Sequence, residues 1–271
     1  MHRQTLRKLI LLISFSIFPI SVVYLAPAPP IMSLKEGVIN LSVVVITSLF
    51  LSGFLFRRAF CGWLCPGAGC QLVSESLNGK PIERKMNNWF RVILVSVWAI
   101  MMVATVFIGG VSQVDLGYPG AGRFATSEIR YFLPYIPVVI FMVVFVLLFG
   151  RRGFCYRGCW IYPLVAASTY LGRWLRVPSL HVAFCDQQAC LDCKKCNRNC
   201  PMSIDVLAVV REGSTFTNNC VQCGTCIDTC PKNVLAYRFA SEPFQAVHPS
   251  NAKYLLTNFQ PITLNRGITK K

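Results

Sequence analysis

Histidine and acidic side chains are scarce in this chain. Among 271 residues there are three histidines, His2, His181 and His248, and 11 Asp plus Glu. None of the histidines falls in an apolar run, so a bis-histidine haem between apolar helices is excluded as a reading. No CxxCH occurs, which removes covalently attached c-type haem. No dinucleotide fingerprint and no P-loop is present, and no flavin-attachment motif is seen. Charged residues make up only 14% of the chain. Against these absences stand 54% hydrophobic residues and 14 cysteines.

Eight of the cysteines form two runs with one pattern. The first is CLDCKKCNRNCP, with Cys190, Cys193, Cys196, Cys200 and Pro201; the second is CVQCGTCIDTCP, with Cys220, Cys223, Cys226, Cys230 and Pro231. Both fit C-x2-C-x2-C-x3-C-P, the bacterial two-cluster ferredoxin spacing, in which the fourth cysteine of each run serves the other cluster. Three thiolates two residues apart wrap one loop around three corners of a cubane, and the fourth must come from elsewhere. The expected ligand sets are therefore Cys190, Cys193, Cys196 and Cys230 for cluster 1, and Cys220, Cys223, Cys226 and Cys200 for cluster 2. Ile204, Val206, Val221, Ile227 and Val234 are candidates to shield them. Lys194, Lys195 and Arg198 lie beside the first, where positive charge favours the reduced form. Structural zinc is the alternative for paired C-x2-C, and disulfides are another. Neither needs the third cysteine and the C-x3-C-P ending, repeated twice.

The apolar residues concentrate in the first 150 positions. Four uncharged runs, Leu9–Leu25, Val38–Phe56, Val92–Gly110 and Phe132–Phe149, match the roughly 17–25 residues that a membrane-crossing helix needs. Pro134 and Pro137 would bend the entry of the fourth. The expected fold is an α-helical membrane protein of four transmembrane helices with a C-terminal α+β two-cluster ferredoxin-like domain. Its parts would be a transmembrane domain over 1–160, an interfacial connector over 161–184, the ferredoxin-like domain over 185–240 and a tail over 241–271. Lys and Arg flank one set of ends: Arg3, Arg7 and Lys8; Arg57, Arg58, Lys80, Arg84, Lys85 and Arg91; Arg151, Arg152 and Arg157. The other side holds Lys35, Arg123 and Arg130. By the positive-inside rule both termini and the clusters would be cytoplasmic, in a multi-pass protein of the inner membrane. The rule accounts for much of the net charge of +16, so nucleic acid is not needed as a partner. The first run could instead be a signal peptide, with Ala26-Pro27-Ala28 resembling a cleavage site; Pro29 argues for an uncleaved anchor. Trp160–Val177 reads as an interfacial helix with Trp160, Tyr162, Tyr170 and Trp174 at headgroup level, or as a packed connector.

Six cysteines remain. RRAFCGWLCPGAGCQ carries Cys61, Cys65 and Cys70, and RRGFCYRGCWIYP carries Cys155 and Cys159; Cys185 stands alone. An arginine pair, one residue, Phe and C-x3-C recur after 94 residues, so the first four apolar runs read as two related hairpins. Cys61, Cys65, Cys155 and Cys159 could hold a third metal or iron–sulfur site, could dock the ferredoxin unit, or could act as redox-active thiols. Cys70 and Cys185 receive no role.

Four apolar runs, Cys61-x3-Cys65-Pro66, the related Cys155-x3-Cys159 and a C-terminal two-cluster unit resemble the NapH family over about residues 1–238, and more distantly the NosR and CcoG membrane polyferredoxins. The resemblance implies a quinol dehydrogenase subunit taking electrons from the quinone pool. It would pass them to a ferredoxin-type or cytochrome c partner of a respiratory reductase such as periplasmic nitrate reductase. A CcoG- or NosR-like donor for metal-centre reduction, or a membrane anchor for a ferredoxin-bearing partner, are the alternatives. Trp160 stands where the family usually has proline. Quinol oxidation releases protons, and the acidic candidates lie only at the edges: Glu36, Asp115, Glu128, Glu75 and Glu83.

Overall fold

The computed structural model describes residues 3–82, 89–110, 113–116, 135–186, 188–211 and 219–241. Glu83, Arg84, Lys85, Arg123, Glu128, Arg130, His2 and His248 lie outside these, as does the predicted tail from 242 onward. The helices in chain order are α1 (Arg3–Ser16), α2 (Phe18–Leu25), α3 (Ala28–Lys35), α4 (Leu41–Phe56), α5 (Ala59–Trp63), α6 (Pro66–Ser74), α7 (Trp89–Gly109), α8 (Tyr135–Phe149), α9 (Gly153–Arg157), α10 (Ile161–Trp174), α11 (Lys195–Arg198), α12 (Val206–Arg211) and α13 (Thr225–Asp228). The strands are β1 (Val38–Ile39), β2 (Gln113–Val114), β3 (Ser179–Phe184) and β4 (Leu235–Ala240). β1 pairs parallel with β2. β3 pairs antiparallel with β4, from Ser179 opposite Ala240 to Phe184 opposite Leu235.

The expectation of four transmembrane helices is overturned. Among the described residues, no helix is long and apolar enough to cross a membrane. Local chemistry shortens the runs. Leu9–Leu25 breaks at Ile17, because Pro19 lacks the N–H that would continue the ladder, leaving helices of 14 and 8 residues. α4 starts where the Asn40 side chain accepts the Val43 N–H at 3.1 Å, and stops at Arg57 with φ 53°. Its 16 residues span about 24 Å against a hydrocarbon core of about 30 Å. α8 has 15 residues and ends at Gly150, whose φ of 84° suits a helix C-terminus. α7 has 21 residues, with side chains described continuously from Ser96.

The multi-pass inner-membrane placement, with cytoplasmic clusters, falls with the spans on which it rested. Several arginines counted as loop charge are instead structural. Arg7, Arg57, Arg58 and Arg152 are all 4% exposed or less. Arg57 donates to Ser179 Oγ at 3.0 Å and Arg152 to the Ala68 carbonyl at 3.0 Å. Arg58 lies 4.4 Å from the Tyr162 ring centroid. Large apolar side chains on α1, α4, α7 and α8 do remain exposed, Phe107 and Ile108 most of all; such patches are contact surfaces for other molecules.

Within the stretch Trp160–Val177, one face is packed against the protein. α10 buries Ile161, Tyr162, Val165, Ala166, Ser168, Thr169 and Gly172 and packs on α4. Thr169 donates to the Gly53 carbonyl at 3.4 Å, and a Cβ on Gly53 would collide with Ser168. The sequence repeat is visible in the backbone. α5 and α9 occupy positions 94 residues apart, and both Cys65 and Cys159 donate their N–H to the carbonyl of the Phe five residues earlier, at 3.0 Å.

Candidate metal centres

The two ferredoxin-type runs fold as copies offset by 30 residues. α11 and α13 are equivalent single turns. Asp192 and Gln222, Lys194 and Gly224, and Ser203 and Asn233 all take left-handed conformations, with φ between 50° and 72°. This geometry bends each loop around its cysteines and directs thiols inward. The turn hydrogen bonds repeat too: Cys200 and Cys230 each donate to the carbonyl three residues back, at 3.3 Å. β3 and β4, one before and one after both runs in the chain, pair to close the unit.

Two cavities divide the eight cysteines. One is lined by Cys190, Cys193, Cys196 and Cys230, with Phe184, Val206, Leu207, Val234 and Leu235 as apolar wall. The other is lined by Cys200, Cys220, Cys223 and Cys226, with Val182, Met202, Ile204 and Val221 among its wall. Each cavity thus takes three cysteines from one run and the fourth from the other. Of the expected shielding residues, Ile204, Val206, Val221 and Val234 are buried; Ile227 is half-buried on the same core. Lys194 and Lys195 line the first cavity together with Lys232, whereas Arg198 turns to the Cys193 carbonyl at 3.2 Å.

The donor set fits a polynuclear cluster better than a single ion. Three cysteines from one loop and a fourth from the other is the ligand pattern of two-cluster ferredoxins rather than of a paired C-x2-C zinc site. Burial pushes the thiols up, Cys200 to about 12 with the Cys223 charge adding to it, and Cys220 to about 11. Buried neutral thiols would release protons on taking up a cationic core.

The surroundings of the two cavities differ. Cys193 is exposed at the first, which opens near Leu191 and the lysines. The second is covered by the helical body. Trp63 Nε1 donates to the Gln222 carbonyl at 3.0 Å, and Gln4 Nε2 to the Cys223 carbonyl at 3.0 Å. A Cβ on Gly62 would collide with the Val221 carbonyl oxygen.

Cys61, Cys65, Cys155 and Cys159 come together at the junction of the two hairpins. Burial raises the thiols of Cys61, Cys65 and Cys159; Cys61 also feels the charge of Cys155, Cys65 that of Cys61, Cys159 and Cys155, and Cys159 that of Cys155 and Cys61. Cys70 lies apart, packed with Phe18 and Met142. Cys185 is exposed and its N–H donates to the Val234 carbonyl. Gln71, which no motif singles out, is fully buried; it donates to Cys155 Sγ at 3.0 Å and accepts the Cys155 N–H at 3.3 Å. Of the acidic candidates, Glu75 faces Arg151 at 3.9 Å.

Comparison with known proteins agrees with the cysteine geometry. Residues 189–235 match a 4Fe-4S dicluster domain, and residues 38–71 match a 4Fe-4S binding domain. The chain is 25% identical over 207 residues to the Escherichia coli K12 protein named "Putative electron transport protein YccM", covering 70% of this chain and 53% of that one. Two uncharacterized proteins of Methanocaldococcus jannaschii are 24% and 22% identical, covering 72% and 77% of this chain and 68% and 81% of their own lengths. The match thus spans about half the length of YccM. No solved structure matches. The chain thus carries 4Fe–4S-type binding domains at both of its cysteine regions.

Proposed function

We propose that the protein relays single electrons from a quinol donor to a protein acceptor, a ferredoxin or c-type cytochrome serving a respiratory reductase. Periplasmic nitrate reductase is the system that the NapH resemblance implies. The observation that carries the relay is the division of the eight cysteines between two cavities. Cys190, Cys193, Cys196 and Cys230 hold one cluster, and Cys200, Cys220, Cys223 and Cys226 the other. A bound [4Fe–4S] cluster supplies one-electron redox chemistry. The chain's own residues set its direction. The inner site is walled by Val182, Ile204 and Val221 and covered by α1 and α5, which keeps water away from it. The outer site opens beside Lys194, Lys195 and Lys232, a basic rim that suits a partner with an acidic face.

Anaerobic addition of a water-soluble quinol, followed by EPR, tests the donor. Reduced-cluster signals are expected within the mixing time, and Cys193→Ala should leave the inner signal while blocking reoxidation by an acidic partner. Reduction by dithionite but never by quinol would reject the quinol donor and leave the relay standing.

A further inference from the structure

We infer that Cys61, Cys65, Cys155 and Cys159 ligate a third iron–sulfur cluster, set between the two hairpins and flanked by Arg58 and Arg152. This goes beyond the two-cluster relay and takes its eight irons as the baseline. The matched 4Fe-4S binding domain, residues 38–71, contains Cys61, Cys65 and Cys70, and so cannot supply four thiolates alone. Cys70 is directed into a separate apolar cluster. The second hairpin supplies the missing pair.

The pairing follows the repeat. Cys61 corresponds to Cys155, Cys65 to Cys159 and Arg58 to Arg152, each 94 residues apart. The two C-x3-C turns share their backbone hydrogen bonds, and Cys61 and Cys155 lie in one buried cluster. Both arginines are 2% exposed. Arg58 hydrogen-bonds Cys61 and lies within electrostatic reach of Cys155 and Cys159, and Arg152 lies within electrostatic reach of Cys61. Arg152 Nε, buried, has no hydrogen-bond partner. Two buried cations beside four thiols call for negative charge. Four thiolates on an oxidised [4Fe–4S] core carry about −2, which the two guanidinium groups neutralise. Gln71, donating to Cys155 Sγ at 3.0 Å, is the kind of hydrogen bond that tunes such a centre.

The position gives the centre a role. Cys61 and Cys155 share one continuous core with Cys200 and Cys223 of the inner cavity, and Arg58 also lies within electrostatic reach of Cys220. The third centre would therefore sit next in line, on the inlet side of the inner cluster.

Iron and acid-labile sulfide are counted on the full chain purified anaerobically, with zinc measured in the same sample. About twelve irons and twelve sulfides are expected. Cys61→Ala and Cys159→Ala should each lower the count by about four while keeping the ferredoxin EPR signals, and Cys70→Ala should leave it unchanged. Eight irons in the unmodified chain, zinc in place of the extra four, or loss of iron in Cys70→Ala overturns the assignment. The Cys193→Ala, Cys223→Ala double variant separates this from the relay. It should keep about four irons at the third site, and their absence overturns the third cluster whatever becomes of the ferredoxin unit.

Discussion

The outer and inner cluster loops have nearly the same backbone and very different surroundings. Left-handed residues recur at matching positions, and each loop leads into a one-turn helix. Yet the outer loop shows an exposed cysteine and a lysine rim, whereas the inner loop is gripped by α1 and α5. The spacing of the cysteines decides what each loop binds. The packing around it decides which site faces a partner and which faces the rest of the relay.

The sharpest way to break the comparison is to remove one ligand from each side. Cys223→Ala should remove the inner cluster and stop electron transfer through the chain, because the inner site links the body to the outlet. It should also loosen the dock between the ferredoxin unit and the helices. Cys193→Ala should remove only the outer cluster, leaving the body's chemical denaturation midpoint close to that of the unmodified protein. Iron counts, EPR and denaturation read on both variants test this. Equal loss of stability in the two would show that the burial difference has no mechanical consequence.

A smaller change aims at the dock itself. At Gly62 an added Cβ would meet backbone, the Val221 carbonyl, and backbone cannot swing aside as a flexible side chain can. Gly62→Ala should cost about 1–3 kcal/mol, as overpacking does, and shift the inner cluster's potential while leaving the outer one in place. Denaturant titration together with a redox titration followed by EPR checks both halves. A shift of both potentials alike would deny that the contact is specific to the inner loop.

Lys194 and Gly224 hold the same place in the two loops, with φ of 53° and 72°. A left-handed lysine costs about 1–2 kcal/mol that glycine does not incur. Lys194→Gly should therefore recover about 1 kcal/mol at the outer loop, with some loss of partner affinity from the missing charge. Gly224→Ala should be destabilising, since its Cβ would stand 2.7 Å from the Tyr237 hydroxyl and 3.0 Å from Arg3. Thermal midpoints of the two variants should move in opposite directions.

How far the sequence could be read follows the range of the interactions involved. The ferredoxin loops were legible because three ligands per cavity lie within seven residues and the fourth follows a fixed spacing. The 94-residue repeat made Cys61 and Cys65 legible as counterparts of Cys155 and Cys159. Composition misled where run length was taken for helix length: Pro19 and the caps at Asn40 and Arg57 cut the apolar runs short. Arginines taken as loop charge proved buried because their partners, the Ala68 carbonyl, Ser179 and Tyr162, lie far along the chain. Gln71 could not be picked out, since the contact that gives it a role lies 84 residues away.

The gentlest probe of the comparison is the ion pair at the inner loop. Arg3 Nη2 lies 2.6 Å from Asp228 Oδ1, and both side chains are 31% exposed. Solvent screens a pair at that exposure, so its own contribution is about 0.2–1 kcal/mol. Arg3 does more than pair: it donates to the Gly224 carbonyl at 3.2 Å and lies 5.2 Å from the Tyr237 ring centroid. Asp228 likewise accepts from Gln4 at 2.5 Å. Arg3→Ala should therefore cost more than Asp228→Asn, which keeps an acceptor for Gln4. A double-mutant cycle isolates the charge–charge part, and that part should shrink as salt is raised, because screening acts on exposed pairs. A coupling that is unchanged at high salt would mean that Arg3 holds the inner loop through the Gly224 carbonyl and Tyr237 rather than through charge.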